Sequence, residues 1–204
     1  MLISYPFLAG QPREDTDPTA PHDLSHLGEL TGTGQFPLTQ GLDWHGGSHW
    51  EAPLSTNGDV EDVRAIADGE VVYARESDGK PARDTDPAII DAHPLLYYKG
   101  WTSNGVVILK HVTEIGEGVD VTFYSIYQHM DTLATVGPAG HTQALKKGDK
   151  VYRKNKLGKA GTIYGQTHRI HLEIIADATN AERVMGRSST PLTAPQGAHV
   201  VRVG

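Results

Sequence analysis

The amino-acid sequence predicts a mostly β protein built on an antiparallel sheet, and three observations carry that reading. Residues 106–111 and 121–127 are runs rich in β-branched and aromatic residues, and 169–174 alternates polar with apolar residues. Gly, Asp and Asn separate such runs at short intervals, the spacing of hairpins rather than of helical crossovers. Helix signals, a capped 3.6-residue period above all, are almost absent.

Taken in order, residues 11–40 are rich in Pro, Asp, Gly and Thr without periodicity and read as an arm or wrapping segment. The expected organisation is an N-terminal arm over 1–40, a main domain over 41–180 and a C-terminal tail over 181–204. Within the main domain, 63–67 leads into Asp68-Gly69, a hairpin signal, and on to a strand at 70–74. Residues 106–111 and 121–127 are β-rich runs separated by the Gly-bearing stretch 114–120. Before them, 76–104 is a long insertion with Pro81, Pro87 and Pro94, and loops of that length are usually functional. Its Tyr97, Tyr98 and Trp101 are expected to wall a binding groove. Residues 147–151 and 157–161 read as turn-strand-turn units that close a small sheet, and the strand 169–175 follows. No internal repeat is visible.

Composition removes several classes of function. With 204 residues, 38% apolar and 21% charged, the chain can bury a core and is neither disordered nor a membrane protein. No apolar run approaches the roughly 18 residues that would span a bilayer, so no membrane insertion is expected. A net charge of −7 argues against nucleic acid as partner, because phosphate binding needs a cationic face. No cysteine is present, which excludes disulfides, thiolate metal sites and cysteine nucleophiles together.

Chemistry concentrates in three histidine-bearing stretches. The first, Trp44-His45-Gly46-Gly47-Ser48-His49, places two imidazoles four residues apart. Helix would bring them together, but Gly46-Gly47 opposes helix. A straight strand would leave them ~13 Å apart, too far for one ion bound at about 2 Å. A turned loop reconciles the two, and the glycine pair is expected to permit that turn. The last stretch, Arg169-Ile170-His171-Leu172-Glu173, alternates legibly. Ile170, Leu172 and Ile174 are expected to face the core, with Arg169, His171 and Glu173 on the opposite face. The middle stretch, Tyr127-Gln128-His129, ends a strand whose alternation sets Phe123, Ser125, Tyr127 and His129 on one face. A histidine at a strand end can serve as acid, base or hydrogen-bond donor. His168 falls on the apolar side if its strand is regular. Asp43 and Glu51 flank the first stretch as candidate oxygen ligands, and Glu51, which shares a face with His49 if the chain is extended there, is the reserve ligand. His111 ends an apolar strand, where a structural role is expected.

These three stretches, in this order, resemble the lysostaphin-type (LytM-like) zinc endopeptidases that cut the peptide part of bacterial cell walls. The family pattern reads His-x-x-x-Asp, then Tyr-x-His, then His-x-His. The strand-turn-strand at 63–72 and the Gly-Asp and Gly hairpin at 145–161 look like its supporting pieces, so the likeness runs over roughly 41–175. It implies one Zn2+ per chain held by His45, His49 and His171. His129 would be the base and proton donor, and Arg169 would steady the oxyanion. Tyr127, Glu173, Glu51 and His168 stand behind them as supporting or reserve residues. The substrate implied is a peptidoglycan stem peptide or cross-bridge. Two departures stand out: His49 replaces the family's Asp ligand, and Arg169 replaces the first histidine of its terminal pair. They leave a second reading open, an inactive scaffold that binds the wall or activates another hydrolase.

Residues 1–10 are apolar but lack a basic start and are followed by Glu14, Asp15 and Asp17, a poor match to a Sec signal. Made in the cytoplasm and acting in the periplasm or outside, such a chain resembles wall-degrading toxins delivered by type VI-like secretion, for which an immunity protein would be the partner. The basic stretch Lys146, Lys147, Lys150, Arg153, Lys154, Lys156 and Lys159 is expected to attract wall carboxylates.

Overall fold

The computed structural model describes residues 3–8, 44–54, 58–80, 85–94, 96–97, 100–137 and 142–185. Its strands are β1 (Ser48–Glu51), β2 (Val63–Arg64), β3 (Gly69–Arg75), β4 (Gly105–Gly116), β5 (Val119–Leu133), β6 (Thr135–Val136), β7 (Gln143–Ala144), β8 (Lys150–Val151), β9 (Lys156–Ile163) and β10 (Gln166–Ile175). Two short helices, α1 (Pro87–Ala92) and α2 (Ala178–Met185), complete the set. The fold is mostly β, as the alternation predicts.

One large antiparallel sheet runs in the order β1-β10-β9-β5-β4-β3-β8, with β2 added beside β9. The β4–β5 hairpin is its longest pairing, and β5 also reaches β9 and β10. Val107, Leu109, Val121, Phe123 and Tyr127 of that hairpin fill the core with Ile170, Leu157 and Val63. Each side chain points inward because alternate residues of a strand share a face. The N-terminal segment belongs to this core: Phe7 is fully buried, and Ser4 and Pro6 bond the backbone of Ile66 and Arg64.

Several local expectations change. Asp68-Gly69 does not close a hairpin, since β2 pairs with β9 while β3 pairs with β4 and β8. A turn dipeptide reports a reversal of direction but not the partner of the strand that follows. The run 157–161 does not close a small separate sheet either. It belongs to β9, deep in the main sheet, and the two-stranded sheet is β6–β7.

Pro87, within the insertion expected to be loop, is the first residue of α1, where its missing N–H costs nothing and the Asp86 carboxylate caps Ala88 N. Helix α2 runs across residue 180, and Asn180 and Arg183 tie it to Thr122 and Asp120 of β5. No helix among the described residues is long and apolar enough to cross a membrane.

Candidate metal centre

The first and last histidine stretches meet on the edge of the sheet. In the antiparallel pair β1–β10, His49 stands opposite His171 and Glu51 opposite Arg169. Paired residues project to the same face, so both imidazoles rise together. His45, in the loop just before β1, adds a third ring. Ligand atoms of His45, His49 and His171 all lie within 4.8 Å of one another, and this group can hold a metal ion.

The spacing suits a shared ion. Imidazoles bound to one tetrahedral metal at about 2.0–2.1 Å set their ring centres roughly 5 Å apart. Here the centres are 4.8, 4.8 and 5.3 Å apart. Both ring nitrogens of His45 are buried without a hydrogen-bond partner. A buried polar atom left so is costly, and a metal bond would relieve it. Burial first, then the neighbouring imidazoles, pull His49 down to about 3 and His171 to about 4. Both are therefore neutral at pH 7, the form that donates a lone pair to a metal.

The loop that delivers His45 works by close approach. A Cβ on Gly47 would lie 2.3 Å from the Leu172 carbonyl oxygen and 2.7 Å from His171 Nε2, and one on Gly46 would lie 2.3 Å from Glu173 Oε1. Neither glycine has a positive φ. The expectation that they supply an unusual turn conformation is thus replaced by a steric one: only a residue without a side chain lets the loop lie against β10.

His129 reaches the same face by a different device. Phe123, Ser125 and Tyr127 are buried on the core side, but His129 breaks the alternation with φ 64°, and Met130 takes the next core position. The shared face expected for Tyr127 and His129 does not exist. His129 lies with its ring centre 6.3 and 6.5 Å from those of His49 and His171, outside the spacing of the trio. Burial lowers its pKa, opposed by the bond between Nδ1 and the Ser103 carbonyl at 2.8 Å. That carbonyl can only accept, so Nδ1 carries the proton and Nε2 the lone pair.

The remaining expected site residues separate. Tyr127 is fully buried in the core, where its hydroxyl accepts from Ile66 N at 2.9 Å; its place on the core side of β5 takes it away from the imidazoles. Glu51 is not gathered with the trio but lies 3.5 Å from the Arg169 guanidinium. Arg169 is close enough to contribute to lowering His49, and its Nε is buried without a hydrogen-bond partner. Glu173 Oε2 stands 3.6 Å from His171 Nε2. His168 does not point to the apolar side: a positive φ of 63° at the β9–β10 register shift turns it out to solvent. Asp43 and Tyr98 lie outside the described residues.

Further out, Ile170 and Leu172 are buried as expected, but Ile174 is 49% exposed because the core ends before it. Tyr97 and Trp101 are buried with ring centres 5.5 Å apart, so these two insertion aromatics pack inward instead of lining an open groove. Within the basic stretch, Lys156 and Lys159 are both paired with Asp62.

Nothing in the sequence marks Ser103 or Gly161 as site residues. Ser103 acts on His129 through a backbone carbonyl, which every residue type has, so no side-chain signal marks it. Gly161 reads as a turn glycine but sits inside β9. No family model, curated protein or solved structure matches this chain.

Proposed function

We propose that the chain is a zinc-dependent hydrolase that cuts peptide bonds of bacterial cell-wall peptidoglycan. The observation that carries this reading is the convergence of three imidazoles at single-ion spacing with a fourth whose ring centre lies 6.3 and 6.5 Å from those of His49 and His171. Three nitrogen ligands without thiolate are the set typical of catalytic rather than structural zinc. Bound zinc would supply Lewis-acid polarisation of a scissile carbonyl and acidify water.

The chain's own groups divide the remaining work. His129, with Nδ1 tied to Ser103, accepts the proton of the attacking water on Nε2 and passes it to the leaving amine. Arg169 brings a fixed positive charge beside His49 to meet the negative charge growing on the carbonyl oxygen. Glu51 keeps that guanidinium in place. Glu173 is the carboxylate that orients the His171 ring.

The substrate class follows from the lysostaphin-type resemblance: stem peptides or cross-bridges, met in the periplasm or outside the producing cell. Delivery by a type VI-like system, with an immunity protein as partner, belongs to the same proposal. Purified sacculi incubated with zinc-loaded protein should release peptide fragments identifiable by mass spectrometry, and His45→Ala should release none. Sacculi left intact by fully loaded protein would overturn the wall substrate.

A further inference from the structure

The end of the insertion runs along the β9–β10 hairpin. Ser103 N donates to the Thr162 carbonyl at 2.9 Å, and Ser103 Oγ accepts from Thr162 N at 3.0 Å. Thr102 Oγ1 accepts from Tyr164 N, and the Trp101 carbonyl accepts from Gly165 N. Four bonds thus pin 101–103 against one hairpin, and Thr102 and Ser103 are buried. What this strip presents to β5 is the Ser103 carbonyl, 2.8 Å from His129 Nδ1.

Gly161 occupies the space where these pieces meet. A Cβ there would lie 2.4 Å from the His129 carbonyl oxygen and 2.5 Å from Ser103 Oγ. No real Cβ contact is that short, so a side chain at 161 must push His129 or Ser103 away. His129 itself sits at φ 64°, a region costly for a residue with a side chain. Such a conformation persists only where the surroundings hold it; His129 is held by its Nδ1 bond to Ser103, beside the Met130–Ala160 pairing whose next residue is Gly161.

We propose that Ser103 and Gly161 are positioning residues that fix His129 as its Nδ1–H tautomer, leaving Nε2 as the ring's one lone pair. The function of this stretch of the insertion is then to set the state of the fourth imidazole. The inference gives His129 the role it has in the proposed hydrolase, but its geometry does not depend on the substrate.

The test is long-range proton–nitrogen NMR on the full chain with 15N-labelled histidine, free of metal. Wild-type His129 is expected to show a protonated Nδ1 and a bare Nε2. Gly161→Ala should lose that signature, with the trio's zinc stoichiometry retained. Ser103→Ala, which removes the acceptor of Thr162 N, should weaken it, and Ser103→Thr should restore it. In cleavage assays the disturbed variants should lose about tenfold or more in kcat with KM unchanged, a fraction of what a general base supplies.

A wild-type ring protonated on Nε2, or a Gly161→Ala protein that keeps the wild-type tautomer, overturns the proposal. If Gly161→Ala does not fold, the Ser103→Ala and Ser103→Thr pair decides alone: an unchanged tautomer in Ser103→Ala overturns it. The expected tautomer in a protein that leaves sacculi intact would preserve this inference while removing the wall-hydrolase reading.

Discussion

His49 on β1 and His171 on β10 occupy one rung of the sheet, directly opposite each other, with ring centres 5.3 Å apart. Neither ring has to leave its strand to share an ion, so most of the site is set by strand register. Only His45 depends on a loop. The wild-type chain should bind one equivalent of zinc, measured by calorimetry or metal analysis. His171→Ala should weaken it by more than about a hundredfold, beyond what loss of an outer-shell partner causes. Equal affinity in His171→Ala would remove that residue from the ligand set.

Gly47 makes the loop a sharper test than the ligands themselves. In Gly47→Ala all three histidines survive, but the new methyl must fit where the Leu172 carbonyl oxygen is 2.3 Å away. That atom belongs to the β10 backbone and cannot swing aside, so the loop must lift and carry His45 with it. Zinc affinity should fall at least about tenfold, the scale of a disturbed ligand orientation. A crystal structure should show His45 displaced. Unchanged affinity would mean that the loop's seat against β10 does not matter to the site.

How much of this was legible follows from what a sequence can encode locally. The alternation Ile170-His171-Leu172 gave the face of His171 correctly, because β10 is regular there. It failed at His129 and His168, where positive φ values shift the faces and no residue type announces them. The Gly46-Gly47 pair marked a special loop, but whether a glycine is needed for φ or for space depends on what lies opposite. The pairing of β2 with β9 and the inward packing of Tyr97 and Trp101 are non-local, and single-sequence periodicity carries no partner information.

Tyr127 separates structure from site. Its hydroxyl accepts from Ile66 N and lies 3.3 Å from Ser125 Oγ inside the core. Tyr127→Phe leaves the buried Ile66 N–H without that acceptor, at a cost of about 1–3 kcal/mol. The melting temperature should fall by several degrees, with zinc affinity unchanged. A loss of zinc binding without loss of stability would return Tyr127 to the site.

The buried imidazoles also make the metal-free protein sensitive to acid. His111 donates from Nδ1 to the Asp68 carbonyl and accepts on Nε2 from Ser125, both at 2.7 Å, and burial lowers its pKa. His49 and His171 are depressed to about 3 and about 4. In the unfolded chain all three return toward the ordinary value of about 6.5. Between those limits the unfolded state binds more protons than the folded one, so stability rises with pH across the window. Metal-free protein should be most stable above about pH 6.5 and lose stability steadily as pH falls toward 4 and then 3. Urea melts from pH 7.5 down to 4 measure this directly. His111→Phe should flatten part of the slope, because one of the three groups no longer titrates, while lowering stability at neutral pH by stranding Ser125. A flat profile in the wild type would mean that these imidazoles titrate in the folded protein as they do in the unfolded chain.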